Sequence, residues 1–205
     1  MKIFRQIRLI VLLLTSLIAS GCDSTPPITR LHSDAVIIAF GDSLTYGTGA
    51  EKNQAYPAVL SQLLGKQVIN AGIPGEVSAE GLKRLPAVLE EHQPDLVILC
   101  HGGNDFLRRL DREQTAANLA AMVEMIQARG ADVILLGVPQ FGLILKPAEL
   151  YETIAAQHRI PYQADIISDL LGKRSLKSDQ IHPNGAGYRQ LAEAVHRLIR
   201  KAEGS

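Results

Sequence analysis

The chain has 205 residues, 46% hydrophobic and 20% charged, with 21 basic and 21 acidic side chains and no Trp. That length suits one domain built around one hydrophobic core. A formal net charge of zero points away from a nucleic-acid binder.

The first residues depart from the rest. Lys2, Arg5 and Arg8 precede an apolar run that continues to Ala19, and the first acid is Asp23. A basic start followed by a short apolar core predicts a signal peptide over residues 1–21. Its end, Ala19-Ser20-Gly21-Cys22, resembles the lipobox of bacterial lipoproteins, with Ala19 where an aliphatic residue is usual. The resemblance implies cleavage before Cys22, lipidation of Cys22 and an exported, periplasmic protein held to a membrane by its acyl chains. An uncleaved anchor or an ordinary secretory signal are the alternatives, and the apolar stretch is short for a membrane span. Asp23 beside Cys22 resembles an inner-membrane retention signal, a rule that varies with organism, so inner and outer membrane stay open. Loss of Lys2, Arg5 and Arg8 leaves 18 basic against 21 acidic residues. With Cys22 acylated, only Cys100 remains, so no internal disulfide is expected. Cys100 lies in an apolar run and reads as a buried thiol, with the neighbouring His101 directed to the opposite strand face.

Residues 22–33, with Pro26-Pro27 and few apolar side chains, read as a tether, and residues 34–205 as the folded domain. Consecutive apolar residues predict strands buried on both faces at 35–40, 67–71, 96–100, 133–138 and, more weakly, 160–164. Helical spacing lies between them: Tyr56, Val59, Leu60 and Leu63, then Leu82, Leu85, Val88 and Leu89, then Leu119, Met122, Val123 and Ile126. A last helix runs from about Gly187 to Ile199. This alternation predicts a three-layer α/β domain of flavodoxin-like type with a five-stranded parallel sheet. Ligands then bind beyond the carboxyl ends of the strands, in the loops after Phe40, Ala71, Cys100 and the last strand.

Those loops hold the chemistry. Gly41-Asp42-Ser43-Leu44 turns out of the first strand and sets a hydroxyl near backbone N–H groups, a good position for a nucleophile, although Asp42 or Ser43 capping a helix fits equally. A serine nucleophile needs a base. Of six histidines, His32 lies in the tether, and His92, His158 and His196 fall on helical stretches. His101 ends a strand and stays open by position. His182 is the best candidate, because Asp179 three residues earlier can hold one imidazole nitrogen while the other faces the serine. An ordinary helix-entry loop is the plain alternative for this segment. Oxyanion donors are available from Gly102-Gly103-Asn104-Asp105 and from Gly72-Ile73-Pro74-Gly75, each of which is also good turn chemistry.

Gly41-Asp42-Ser43-Leu44, Gly75, Gly103-Asn104-Asp105 and Asp179-Gln180-Ile181-His182-Pro183-Asn184, in this order, resemble the four sequence blocks of the SGNH (GDSL-type) hydrolase superfamily. The resemblance extends to the bacterial arylesterase and thioesterase I/lysophospholipase L1 group through Gly81-Leu82-Lys83-Arg84-Leu85-Pro86 and His92-Gln93-Pro94-Asp95. It implies Ser43 as nucleophile, His182 as general base oriented by Asp179, and an oxyanion hole of the Ser43 N–H, the Gly75 N–H and the Asn104 side chain, with Gly75 preferred to Gly72. The implied activity is hydrolysis of carboxylic esters or thioesters through an acyl-serine, with no cofactor and no metal. Consistent with this, there is no G-x-S-x-G, Walker loop, G-x-G-x-x-G or paired metal-ligand spacing. A glycan O-acetyl esterase or acetyltransferase, and a non-catalytic binding lipoprotein on the same scaffold, are the competing functions. The segment before Asp179 is shorter than in thioesterase I, which leaves acyl-chain preference open.

Overall fold

The computed structural model describes residues 25–140 and 145–204. The expected signal peptide and Cys22 lie outside the described residues. The chain alternates strand and helix: β1 (Ile37–Gly41), α1 (Ser43–Tyr46), α2 (Tyr56–Leu64), β2 (Val68–Gly72), α3 (Ser78–His92), β3 (Leu96–Cys100), α4 (Gly103–Leu107), α5 (Arg112–Ala128) and β4 (Asp132–Leu136). Then come β5 (Pro139–Gln140), β6 (Lys146–Pro147), α6 (Glu149–His158), β7 (Tyr162–Gln163), α7 (Ile166–Leu171) and α8 (Gly185–Glu203).

Five strands form a parallel sheet in the order β2-β1-β3-β4-β7, the flavodoxin-like arrangement. Because the order reverses after β2, right-handed crossovers send helices to both faces. On one side α2 packs on α8, while α3, α5 and α6 pack in series on the other. Strands β1 and β3 are buried throughout, which explains their unbroken apolar runs. The expected parallel α/β sandwich is therefore the fold.

Details differ from expectation for local reasons. Strand β2 is an edge strand and only half-buried, not buried on both faces. Strand β4 ends at Leu136, two residues before the predicted end. At Gly137 the chain passes so close to β7 that a side chain there would meet the Tyr162 hydroxyl at 2.6 Å and the Ala164 carbonyl at 2.8 Å. Beyond it, the chain leaves the sheet and forms the two-residue antiparallel β5–β6 ladder, which no sequence pattern announces. The fifth parallel strand shrinks to Tyr162–Gln163, since Pro161 offers a carbonyl to Leu135 but no N–H.

Over its described part, the segment read as a tether is docked on the domain. Ile28 and Leu31 are buried in the core cluster. The Ile28 N–H donates to the Ala202 carbonyl at 3.2 Å, the Thr29 N–H to Asp132 at 2.7 Å and the Leu31 N–H to Glu203 at 2.9 Å. Two well-spaced apolar residues suffice to dock an otherwise polar, proline-containing strap.

Burying two aliphatic side chains contributes about 1.5–3 kcal/mol each when complete. Replacing Ile28 and Leu31 together by Ser should lower the unfolding free energy in urea by about 2–4 kcal/mol, at the lower end because the site is peripheral. An unchanged denaturation midpoint would mean that the strap does not stay docked.

Candidate active site

At the end of β1, Gly41 lies so close to β3 that an added Cβ would overlap the Cys100 carbonyl oxygen. This close approach aims the following turn out of the sheet. Asp42 is buried and caps α1, accepting from the Leu44 N–H at 3.0 Å. The cap therefore belongs to Asp42, and Ser43 keeps its hydroxyl for other contacts. Burial raises the Asp42 carboxyl above its ordinary value, against the nearby imidazoles and the Leu44 N–H, which favour the anion.

Ser43 Oγ lies 3.0 Å from His182 Nε2, and His182 Nδ1 lies 2.8 Å from Asp179 Oδ2. The loop that makes this possible is tightly held. Asp179 Oδ1 accepts the backbone N–H groups of Ile181 and His182, each at 2.8 Å, and the Ser178 N–H donates to the His182 carbonyl at 2.9 Å. Asn184 then caps α8 by accepting from the Gly187 N–H at 3.1 Å. Partial burial alone would raise the Asp179 carboxyl, but the His182 hydrogen bond and the two backbone donors outweigh it and lower it below the usual value. An ionised Asp179 fixes the proton of His182 on Nδ1, leaving Nε2 as an acceptor facing the serine hydroxyl.

The oxyanion side comes from two other carboxyl-end loops. The Gly72 N–H already donates to Asn70 Oδ1 at 3.0 Å, so it is not available, whereas among the described residues the Gly75 N–H makes no hydrogen bond. Gly75 has a φ of 82°, a backbone conformation that favours glycine. Its carbonyl accepts from Arg108 at 2.7 Å. Asn104, in the first turn of α4, donates from Nδ2 to the Glu76 carbonyl at 2.9 Å and makes a longer 3.4 Å contact with Asp42 Oδ2. One amide hydrogen is thus anchored, and the other, only weakly engaged by Asp42, is the one a developing anion can engage. Leu44, Leu107, Val138, Leu171 and Ile181 give the adjoining cleft apolar walls.

Sequence reasoning missed the support beneath these donors. Glu76 is buried and takes Arg84 in a two-pronged ion pair, at 2.8 and 2.7 Å, and His101 Nε2 at 3.1 Å. The Arg84 guanidinium also lies 4.2 Å from the Phe40 ring centroid and donates to the Ala71 carbonyl. His101, left open by its position, is fully buried and accepts the Gly102 N–H on Nδ1 at 3.0 Å, so its Nε2 carries the proton toward Glu76. His101 is therefore a core histidine that backs the site. Asp105 binds the N–H and hydroxyl of Ser78 and so ties α4 to the start of α3. Cys100 is buried, and burial pushes its thiol well up, as its apolar run suggested. His92 and His158 sit in the last turns of α3 and α6.

This fold with this loop constellation defines an SGNH-type α/β hydrolase scaffold. Residues 39–190 match the GDSL-like lipase/acylhydrolase family, and the chain belongs to it. It is 34% identical over 193 residues to the esterase TesA of Pseudomonas aeruginosa, covering 88% of this chain and 95% of that one. It is 31% identical over 163 residues to the thioesterase 1/protease 1/lysophospholipase L1 of Escherichia coli K12, covering 76% and 78%. The structure is similar to that of a psychrotrophic esterase, EstA, from Pseudoalteromonas sp. inhibited by monoethylphosphonate. The TM-score is 0.75 at 26% identity, covering 84% of this chain and 100% of that one.

The Glu76 network sets a pH dependence. Burial would raise its carboxyl, but the hydrogen bonds of Arg84 and His101 and the charge of Arg84 bring it from 4.5 down to about 2. A depressed carboxyl contributes stability above its unfolded value and loses it as pH falls through the folded one. Native stability should therefore decline between about pH 4.5 and 2, by roughly 3 kcal/mol from this group. In Glu76→Gln that acid-linked slope should be smaller by about one proton in urea titrations, on a lower plateau because Arg84 loses its partner. An unaltered slope would remove Glu76 from this role.

Proposed function

We propose that the protein is a serine esterase that cleaves carboxylic esters or thioesters through an acyl-Ser43 intermediate. The observation that carries this reading is the unbroken chain Ser43–His182–Asp179, beside donors that converge from two other loops. Ser43 Oγ attacks the carbonyl carbon as its proton passes to His182 Nε2, and Asp179 stabilises the resulting imidazolium. The Ser43 and Gly75 N–H groups and the Asn104 amide hold the tetrahedral oxyanion. Collapse expels the alcohol or thiol, which takes the proton from His182 Nε2. Water then attacks the acyl-serine with His182 again as base, releasing the acid and restoring the hydroxyl. The apolar walls suit an acyl chain. The names of the Pseudomonas and E. coli relatives support both ester and thioester substrates, and a relative inhibited by a phosphonate supports a nucleophile that meets a tetrahedral, oxyanion-bearing group.

The same reading places the enzyme outside the cytoplasm. Lys2, Arg5 and Arg8 ahead of the apolar run, and small residues directly before Cys22, support export, cleavage and acylation of Cys22. An enzyme so placed meets periplasmic esters, and cytoplasmic acyl-CoA is out of its reach.

In p-nitrophenyl ester turnover, Ser43→Ala should lower kcat/KM by at least about 10³-fold, and unchanged rates would rule out Ser43 as nucleophile. Asp179→Asn should lower kcat by about 10³–10⁴-fold with KM little altered, since it leaves the imidazole in place with the wrong tautomer favoured. A loss confined to KM would instead make Asp179 a substrate-binding residue.

A further inference from the structure

The docked amino-terminal strap and the candidate site lie at opposite ends of the sheet. The contacts that fix the strap are made at the amino ends of the parallel strands and at the carboxyl end of α8. Thr29 bonds Asp132, the first residue of β4, and His32 Nε2 lies 3.3 Å from Asp95, the residue before β3. Ile28 bonds the Ala202 carbonyl near the end of α8. Ser43, Gly75, Asn104 and His182 all stand at the carboxyl ends. Helix α8 joins the two ends, because Gly185 follows His182 by three residues and Ala202 is held by Ile28. At 1.5 Å per residue, Gly185 and Ala202 are about 26 Å apart.

Cys22 precedes Ile28 by only six residues, two of them Pro26 and Pro27. Six residues reach at most about 22 Å when fully extended. Facing the cleft squarely onto the membrane that holds Cys22 inverts the body and lifts Ile28 by the depth of the domain, up to about 26 Å along α8, with the loops that rim the cleft added to it. The tether is too short for that while Ile28 and Leu31 remain buried.

We propose that the strap orients the acylated enzyme with its cleft facing away from its own bilayer, so that its substrates are water-borne esters and not lipids of the anchoring membrane. The inference rests on the serine-esterase reading and on acylation at Cys22. It makes the strap a specificity element: the anchor sets the enzyme's place while excluding the surrounding lipids as substrates.

The test couples the mature chain, residues 22–205, through Cys22 to a maleimide lipid in phosphatidylcholine vesicles. Cys100 is buried with a raised thiol, so Cys22 is the thiol that reacts. One fluorogenic butyrate ester is presented in two forms, free in solution and attached to the headgroup of a phosphatidylethanolamine in the same vesicles. A second protein carries about 20 Gly/Ser residues between Ser24 and Thr25, which add an average span of roughly 25 Å without touching the docked strap. Both proteins should hydrolyse the soluble ester at the uncoupled rate. The native tether should hydrolyse the bilayer ester at least about tenfold more slowly than the lengthened one, whose cleft reaches the surface. Equal rates on the bilayer ester would overturn the orientation. Failure of the uncoupled chain on the soluble ester would overturn the esterase reading instead. Orientation is then read without turnover from Leu110, exposed between α4 and α5 beyond the carboxyl end of β3, as Leu110→Cys labelled with a fluorophore on the acylated protein: quenching by a bilayer-embedded nitroxide should be weak with the native tether, and strong quenching would refute the proposal.

Discussion

The 3.0 Å contact between Ser43 Oγ and His182 Nε2 joins residues 139 positions apart, and the rest of the architecture serves to bring them together. A hydroxyl is nucleophilic enough to attack an ester only while a base stands within hydrogen-bond reach to take its proton, so fractions of an ångström decide whether chemistry occurs. The serine is set by β1, by the near overlap of Gly41 with β3 and by the Asp42 cap. The histidine is set by a short loop whose backbone folds around Asp179 and passes directly into α8. Each side is local and stiff. What relates them is the packing of α2 against α8 and the shared carboxyl edge of a single sheet.

The oxyanion side depends on a different device. Arg84 and Glu76 place charge inside the protein, which is tolerable only because they pair with each other and with His101. The arrangement fastens the loop that carries Gly75 and presents the Glu76 carbonyl to Asn104. Arg108 on the Gly75 carbonyl and Asp105 on Ser78 fasten the same two loops from the other side. The donors are therefore held before a substrate arrives, which is what makes fixed dipoles effective against a developing negative charge.

The sheet was legible because its central strands are buried on both faces and so spell unbroken apolar runs, as in 96–100. Ser43, Asp179 and His182 were legible because nucleophile, acid and base sit in short blocks with a chemical reason for their spacing. Glu76, Arg84 and His101 were not, since their meeting depends on how α3 lies across β1, and a single acid after a turn glycine has no pattern of its own. The choice of Gly75 over Gly72 came from the resemblance alone, and its physical reason, Asn70 occupying the Gly72 N–H, is visible only in the structure. The docking of the strap was not legible for the same physical reason, because its backbone is held by Ala202, Glu203 and Asp132, residues more than a hundred positions away. Strand β4 was drawn too long because Gly137 and Val138 continue an apolar run past the end of the strand at Leu136.

The centre of the account is a single activated hydroxyl. It is tested most directly by reacting the folded protein with a fluorophosphonate and locating the adduct by peptide mass spectrometry. One adduct is expected, on Ser43, formed rapidly by the native protein and very slowly by His182→Ala. An adduct on another residue, or none on a protein that hydrolyses esters, would contradict it.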